Sequence, residues 1–150
     1  MRHTDVAREE IADLLGDLFA GFEGRDWDRM ADLVAEKVHL DHTSLGAPAP
    51  EDLTGDAIVA RWRRGLHSRK RNFHLLSRPR IRVDGPRAEV AVNCYACNIL
   101  DEDLGGGVWE CWGRHDISWQ QTENGWKATS FVFTAAHTRG DERVHTHTLD

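Results

Sequence analysis

No stretch of this chain approaches the roughly 20 consecutive apolar residues that a membrane-spanning helix needs, which excludes that class of membrane protein. Positive charge is also short: 19 lysines and arginines face 25 aspartates and glutamates, for a formal charge of −6. A general nucleic-acid binder needs a net basic face to release counterions from phosphate, so nucleic acid is not an expected partner. Cysteine is scarce and odd in number. Cys94 and Cys97 have a redox-like or zinc-like spacing but sit in a segment that reads as strand. An odd offset on a strand sends two side chains to opposite faces, so the pair cannot hold one metal ion or close a short disulfide. Packed thiols are the simpler reading. Also absent are a glycine-rich phosphate loop, a nucleophile elbow and a His-Glu-x-x-His helix. The opening MRHTDVAREE runs straight into charge without the apolar core of a secretion signal, so a cytoplasmic location is expected.

What remains is an ordinary globular composition, 40% hydrophobic and 29% charged over 150 residues, enough for one domain with a real core. Ile11, Leu14, Leu15, Leu18, Phe19 and Phe22 recur at helical spacing, predicting an amphipathic helix over 4–20 that ends near Gly21. A shorter helix is expected over 26–35, a strand over 37–42, a loop over 45–50 and a third helix over 56–66. The texture then becomes β. Strand character over 72–84 breaks at Pro79, Asp84-Gly85 is a hairpin turn, and long strands follow over 87–100, 108–122 and 126–137. Residues 141–150 read as a flexible polar tail. Helices followed by a strand meander predict an α+β fold, with helices packed on one face of an antiparallel sheet.

With these elements placed, the chain resembles the SnoaL-like branch of the nuclear-transport-factor-2-like superfamily. The likeness rests on Asp26-Trp27, the run from Val38 to Asp41, the run from Leu53 to Trp62, that from Phe73 to Ser77, Val83 to Gly85 with Ala88, and Gly125 to Lys127. It spans residues 5–140 in the expected order. The resemblance implies a cone-shaped, strongly curved antiparallel sheet closed by three N-terminal helices over residues 1–140, and a homodimer formed through the sheet. It also implies a deep pocket, used by relatives that range from polyketide cyclases, dehydratases and isomerases to plain binding modules. Fold alone does not choose among these.

Nine histidines supply the candidate chemistry. Asp41, with His42 beside it at the end of the first strand, would act as a proton-exchanging carboxylate if desolvated, or would simply accept bonds from the following loop. His74 begins the next strand where similar dehydratases hold a pocket histidine; without that resemblance, a packed core residue is the simpler reading. His115 falls on the more apolar face of its strand with Cys111, Gly113, Ile117 and Trp119. Relatives carry a tyrosine there, so His115 is either a second acid–base group or a hydrogen-bond donor. Trp62, Trp112 and Trp119 could line a site for a flat ring, with core packing the competing role, and Phe19 and His42 are further candidate substrate contacts. Asn93 and Tyr95 share the opposite strand face and are expected at a dimer contact. The basic run from Arg61 to Arg71 reads as a solvated surface, and His145-Thr-His147 as two imidazoles on one side of an extended tail with at most adventitious metal affinity. No metal or cofactor is expected. The expectation is therefore a cofactor-independent dehydratase, isomerase or cyclase acting on a small hydrophobic, carbonyl-bearing or polyketide-like molecule. The alternatives are a non-catalytic ligand-binding protein or an accessory subunit of the same fold.

Overall fold

The computed structural model describes residues 2–149. Helix α1 (Arg2–Gly24) runs one turn past its expected end, because Gly21 is a contact point and not a terminator. A Cβ on Gly21 would lie 2.7 Å from Met30 Cγ, so the missing side chain lets α2 (Trp27–Leu33) pack directly against α1. The break between them falls at Arg25, a non-glycine residue with φ 57°. Such a conformation persists only where its surroundings hold it. Here the Arg25 guanidinium donates to the carbonyls of Leu66, His67 and Lys70 and ties the α1–α2 turn to a distant loop.

Strand β1 (Val34–Asp41) starts three residues earlier than the sequence suggests, since Val34 joins the core as strand and pairs with Ala128. Strand β2 (Glu51–Thr54) was not foreseen: it is four residues long and mostly exposed, so it shows no alternation. It pairs antiparallel with β1 and delivers Thr54, whose hydroxyl accepts from the Ala57 amide to cap α3 (Gly55–Gly65). The break at Pro79 separates β3 (Lys70–Leu76) from β4 (Arg80–Asp84), both of which pair with β5 (Arg87–Leu100). Strands β6 (Val108–Thr122) and β7 (Gly125–Gly140) complete the sheet.

The order is β2-β1-β7-β6-β5-β3, with β4 beside β5. Every pair is antiparallel except β1–β7, which is parallel, so the sheet is mixed where an antiparallel one was expected. A parallel pair needs a long crossover, and everything between β1 and β7 supplies it. Two bulges in the β6–β7 ladder, at Trp112/Gly113 and Ser118/Trp119, bend the longest strands into an unclosed cone. Gly113 makes the first bend possible, since a Cβ there would lie 2.4 Å from Phe133 Cζ. Helices α1 to α3 cover the concave face. Ile11, Leu18, Met30, Ile58 and Ile117 are fully buried between the layers, each worth about 1.5–3 kcal/mol of hydrophobic stabilisation.

The C-terminal residues depart most from expectation. Instead of trailing loose, they form α4 (Glu142–Thr146), whose Val144 is 0% exposed in a second apolar cluster with Leu100, Trp109, Cys111 and Phe133. Among the described residues, no helix is long and apolar enough to cross a membrane.

Candidate functional site

Between α1, α3, α4 and the inner sheet face lies a chamber of about 260 Å³. Period-2 alternation explains its sheet wall. Ladder positions His74, Ala96 and Cys111 lie side by side on β3, β5 and β6, and His115 sits opposite Phe133 of β7. All five residues line the chamber. From the helical side, Phe19 and Trp62 close it. Phe19 stands edge-on to both imidazoles, with ring centroids 5.3 Å from His74 and 5.1 Å from His115. It therefore bridges the two histidines.

His74 has a partner that the sequence did not reveal. Glu23, in the last turn of α1, accepts a 2.6 Å hydrogen bond from the His74 backbone amide, and its Oε1 lies 3.7 Å from His74 Nδ1. That nitrogen is buried and has no hydrogen-bond partner, and the side chain is 13% exposed. A buried unpaired nitrogen just outside bonding reach of a carboxylate is an arrangement poised to tighten. Burial lowers the His74 pKa below its ordinary value, and the Glu23 carboxylate partly opposes that. His115 is pushed down to about 3, first by burial and then by His74 and His42 nearby. His42 is lowered by burial, then by His145 and Arg61. At neutral pH these imidazoles are uncharged and can accept a proton.

The remaining expectations divide. His42, Phe19 and Trp62 line the chamber. Asp41 does not: its Oδ1 accepts from the Thr43 amide at 3.0 Å and the Thr43 hydroxyl at 2.7 Å, which holds its carboxyl below the usual range. It is a loop-capping residue, and the raised pKa required of a desolvated acid is not found. Trp119, 1% exposed, belongs to the core behind the chamber and does not line it. Arg114 and Asp116 pair with each other on the outer face, as read from the alternation. The three cysteines are free, and burial raises the thiols of Cys94 and Cys111 to about 12 and about 11, which leaves them inert as nucleophiles.

Sequence reasoning missed Glu23, Lys70 and His145. Glu23 follows Phe22 directly, and Phe22 belongs to the same apolar stripe as Phe19; extending the helix by one turn would have found it. Lys70, assigned to a solvated surface, is 1% exposed and lines the chamber. Its Nζ donates to the carbonyls of His147 at 2.8 Å and His145 at 3.4 Å, and burial lowers its pKa to about 8. His145 and His147 do not share a side: His145 stacks on Trp109, while His147 bonds His67 at 2.9 Å. Among the described residues, no group of three or more histidine, cysteine or acidic side chains could hold a metal ion.

No curated protein is significantly similar to this sequence. Among solved structures, the Kfla4162 protein of Kribbella flavida superposes with a TM-score of 0.84 at 19% identity, covering 90% of this chain and 94% of its own. A candidate scytalone dehydratase of Novosphingobium aromaticivorans gives 0.75 at 18% identity, with 93% and 91% covered. Hexachlorocyclohexane dehydrochlorinase LinA-type3 of Novosphingobium barchaimii gives 0.74 at 14% identity, with 95% and 97% covered. At such identities the likeness speaks to the fold alone. The family assignment comes from the sequence profile of the SnoaL-like domain, which matches residues 6–132, and the chain belongs to that family.

Proposed function

We propose that this protein is a cofactor-independent acid–base enzyme, of the dehydratase, isomerase or cyclase kind, with His74 as its base. The observation that carries the reading is the buried His74 imidazole, uncharged, backed by Glu23 and facing an apolar chamber. The substrate is a small hydrophobic molecule with a carbonyl or comparable group that acidifies a C–H bond, of the polyketide-like kind. A volume of about 260 Å³ lies just under the range of drug-sized sites, which suits one or two rings. His74 takes the proton from carbon, and Glu23 steadies the resulting imidazolium. The electron pair left on carbon either forms an enolate, which is reprotonated or attacks a second carbonyl, or forms a C=C bond as a neighbouring group leaves with its electrons. A scytalone dehydratase candidate and a dehydrochlorinase among the structural neighbours are named for eliminations of this last kind. His115, uncharged and without a hydrogen bond from the described residues, would donate a hydrogen bond to the developing oxyanion or to the leaving group.

The outer sheet face carries an open groove of about 750 Å³ bordered by Tyr95, Trp112 and Arg114, and we assign it to a homodimer contact. A thermal-shift screen with polyphenols, small quinones, terpenoids and aromatic ketones identifies the ligand class, since a ligand at about 100 times its Kd adds about 2.7 kcal/mol. Hits are then incubated with wild type and His74→Ala. The proposal expects conversion by the wild type and loss of rate in the variant. A bound ligand recovered unchanged from the wild type would favour the non-catalytic binding reading instead.

A further inference from the structure

Outside the chamber, between β1, the loop after it and α4, lies a vestibule of about 320 Å³. Leu40, His42, Leu45, Arg61 and His145 line both spaces and so form the neck between them. Four of these come from the body of the fold. His145 alone comes from the C-terminal segment, beyond the residues 6–132 that the family profile matches.

That segment is held by contacts of several kinds. Val144 is buried among Trp109, Cys111 and Phe133; the buried Lys70 Nζ grips the His145 and His147 carbonyls; and the Leu149 amide donates to the Arg64 carbonyl at 3.1 Å. The His145 ring lies flat on Trp109, with centroids 4.1 Å apart and planes 17° apart. A stacked imidazole keeps both nitrogens at its edge. No hydrogen bond from the described residues reaches the ring nitrogens of His145 or of His42, although both line the neck. Arg61, the third polar group there, is already committed to Glu51 by two hydrogen bonds. The neck thus presents two free, half-buried imidazoles between an apolar inner space and an outer one bordered by Glu51 and Thr146.

We propose that His145 is a substrate-contacting residue delivered by the C-terminal segment, and that with His42 it hydrogen-bonds an oxygen-bearing group at the outer end of the substrate. The substrate is then an aromatic or alicyclic body that fills the chamber and carries a hydroxyl or carbonyl at the neck. This deepens the acid–base reading by naming the ligand's polar end, but it rests on binding alone and stands even if no turnover is found.

The test compares naphthalene with 2-naphthol, two flat bodies that differ by one hydroxyl, binding to wild type, His145→Ala and His145→Gln by fluorescence titration. One net hydrogen bond is worth about three- to tenfold in affinity. Wild type should prefer 2-naphthol by that factor. His145→Ala should reduce the preference to what His42 alone supplies, and the double variant His42→Ala/His145→Ala should abolish it, each changing naphthalene affinity less than about threefold; His145→Gln should keep more of it than His145→Ala. A wild type without preference, including one that binds neither probe, overturns the proposal, as does a His145→Ala variant that keeps the full preference. Amide hydrogen exchange supplies a check free of any ligand: the Val144 amide, bonded to the Asp141 carbonyl at 3.0 Å, should be protected, and random-coil exchange there would also overturn it.

Discussion

The two faces of the sheet differ in one respect above all. On the outer face, polar side chains are paired: Arg114 donates to Asp116, the Tyr95 hydroxyl to Glu110, and Arg139 donates to Glu110 while its guanidinium lies over Trp112. On the inner face, half-buried imidazoles of His74 and His115 have no hydrogen bond to their ring nitrogens from the described residues, and Asn98, 8% exposed, lines the chamber likewise without a side-chain hydrogen bond. Buried polar groups are ordinarily satisfied, so a cluster of open ones supports the proposal that a ligand binds there. Alternation along β5 and β6 makes this division possible, because adjacent residues serve opposite surfaces at no cost in backbone geometry.

The largest effect that would break the comparison is catalytic. His74→Ala should lower the rate on a true substrate by about 10²–10⁴-fold, while Arg114→Ala on the outer face leaves it unchanged; a loss under about threefold at His74 would remove it from the mechanism. Next comes the wall behind the chamber. Trp119→Ala should cost about 3–5 kcal/mol in denaturant unfolding, because Trp119 is core and not a ligand contact. Trp119→Phe should cost much less, since the indole nitrogen it deletes is buried without a partner.

Acid should separate the faces further. His115 has a folded pKa of about 3 against an ordinary 6.5, so over that window the unfolded chain binds more protons than the folded one. Stability from neutral His115 is complete above pH 6.5 and is lost as pH falls towards 3. His115→Phe should flatten the fall in melting temperature between about pH 6.5 and 4. Activity should follow the same sense: the rate holds above the lowered His74 pKa and declines below it, because only the uncharged imidazole accepts a proton. The smallest effect belongs to the outer face, where a double-mutant cycle on Arg114 and Asp116 should give a coupling of about 1 kcal/mol or less.

Much of this division was legible in the sequence. Alternation placed His115 inward and Arg114 and Asp116 outward, the break at Pro79 was marked, and helical spacing put Phe19 on the inner side of α1. Where reading failed, tertiary contact outweighed local signal. Gly21 looks like a helix end, yet its missing Cβ serves the α1–α2 contact, and that misreading hid Glu23. For Asp41 the sequence left two roles open, and its bonds from the Thr43 amide and hydroxyl give the loop-accepting one. Residues 141–149 are polar by composition. Only Val144 anchors them apolarly, and the buried partners that fix His145, namely Trp109 and Lys70, lie far away in sequence. Strand β2 is too short and exposed to show a period.

The central claim is that the inner-face imidazoles are uncharged and open to a ligand. Its most direct test is a titration of the histidine ring resonances by NMR, with assignments from single His→Asn variants, across about pH 4 to 8. The account predicts His74 and His115 neutral at pH 7, His74 titrating below 6.5 and His115 showing no inflection above about pH 4. An imidazolium at either position at pH 7 would contradict it.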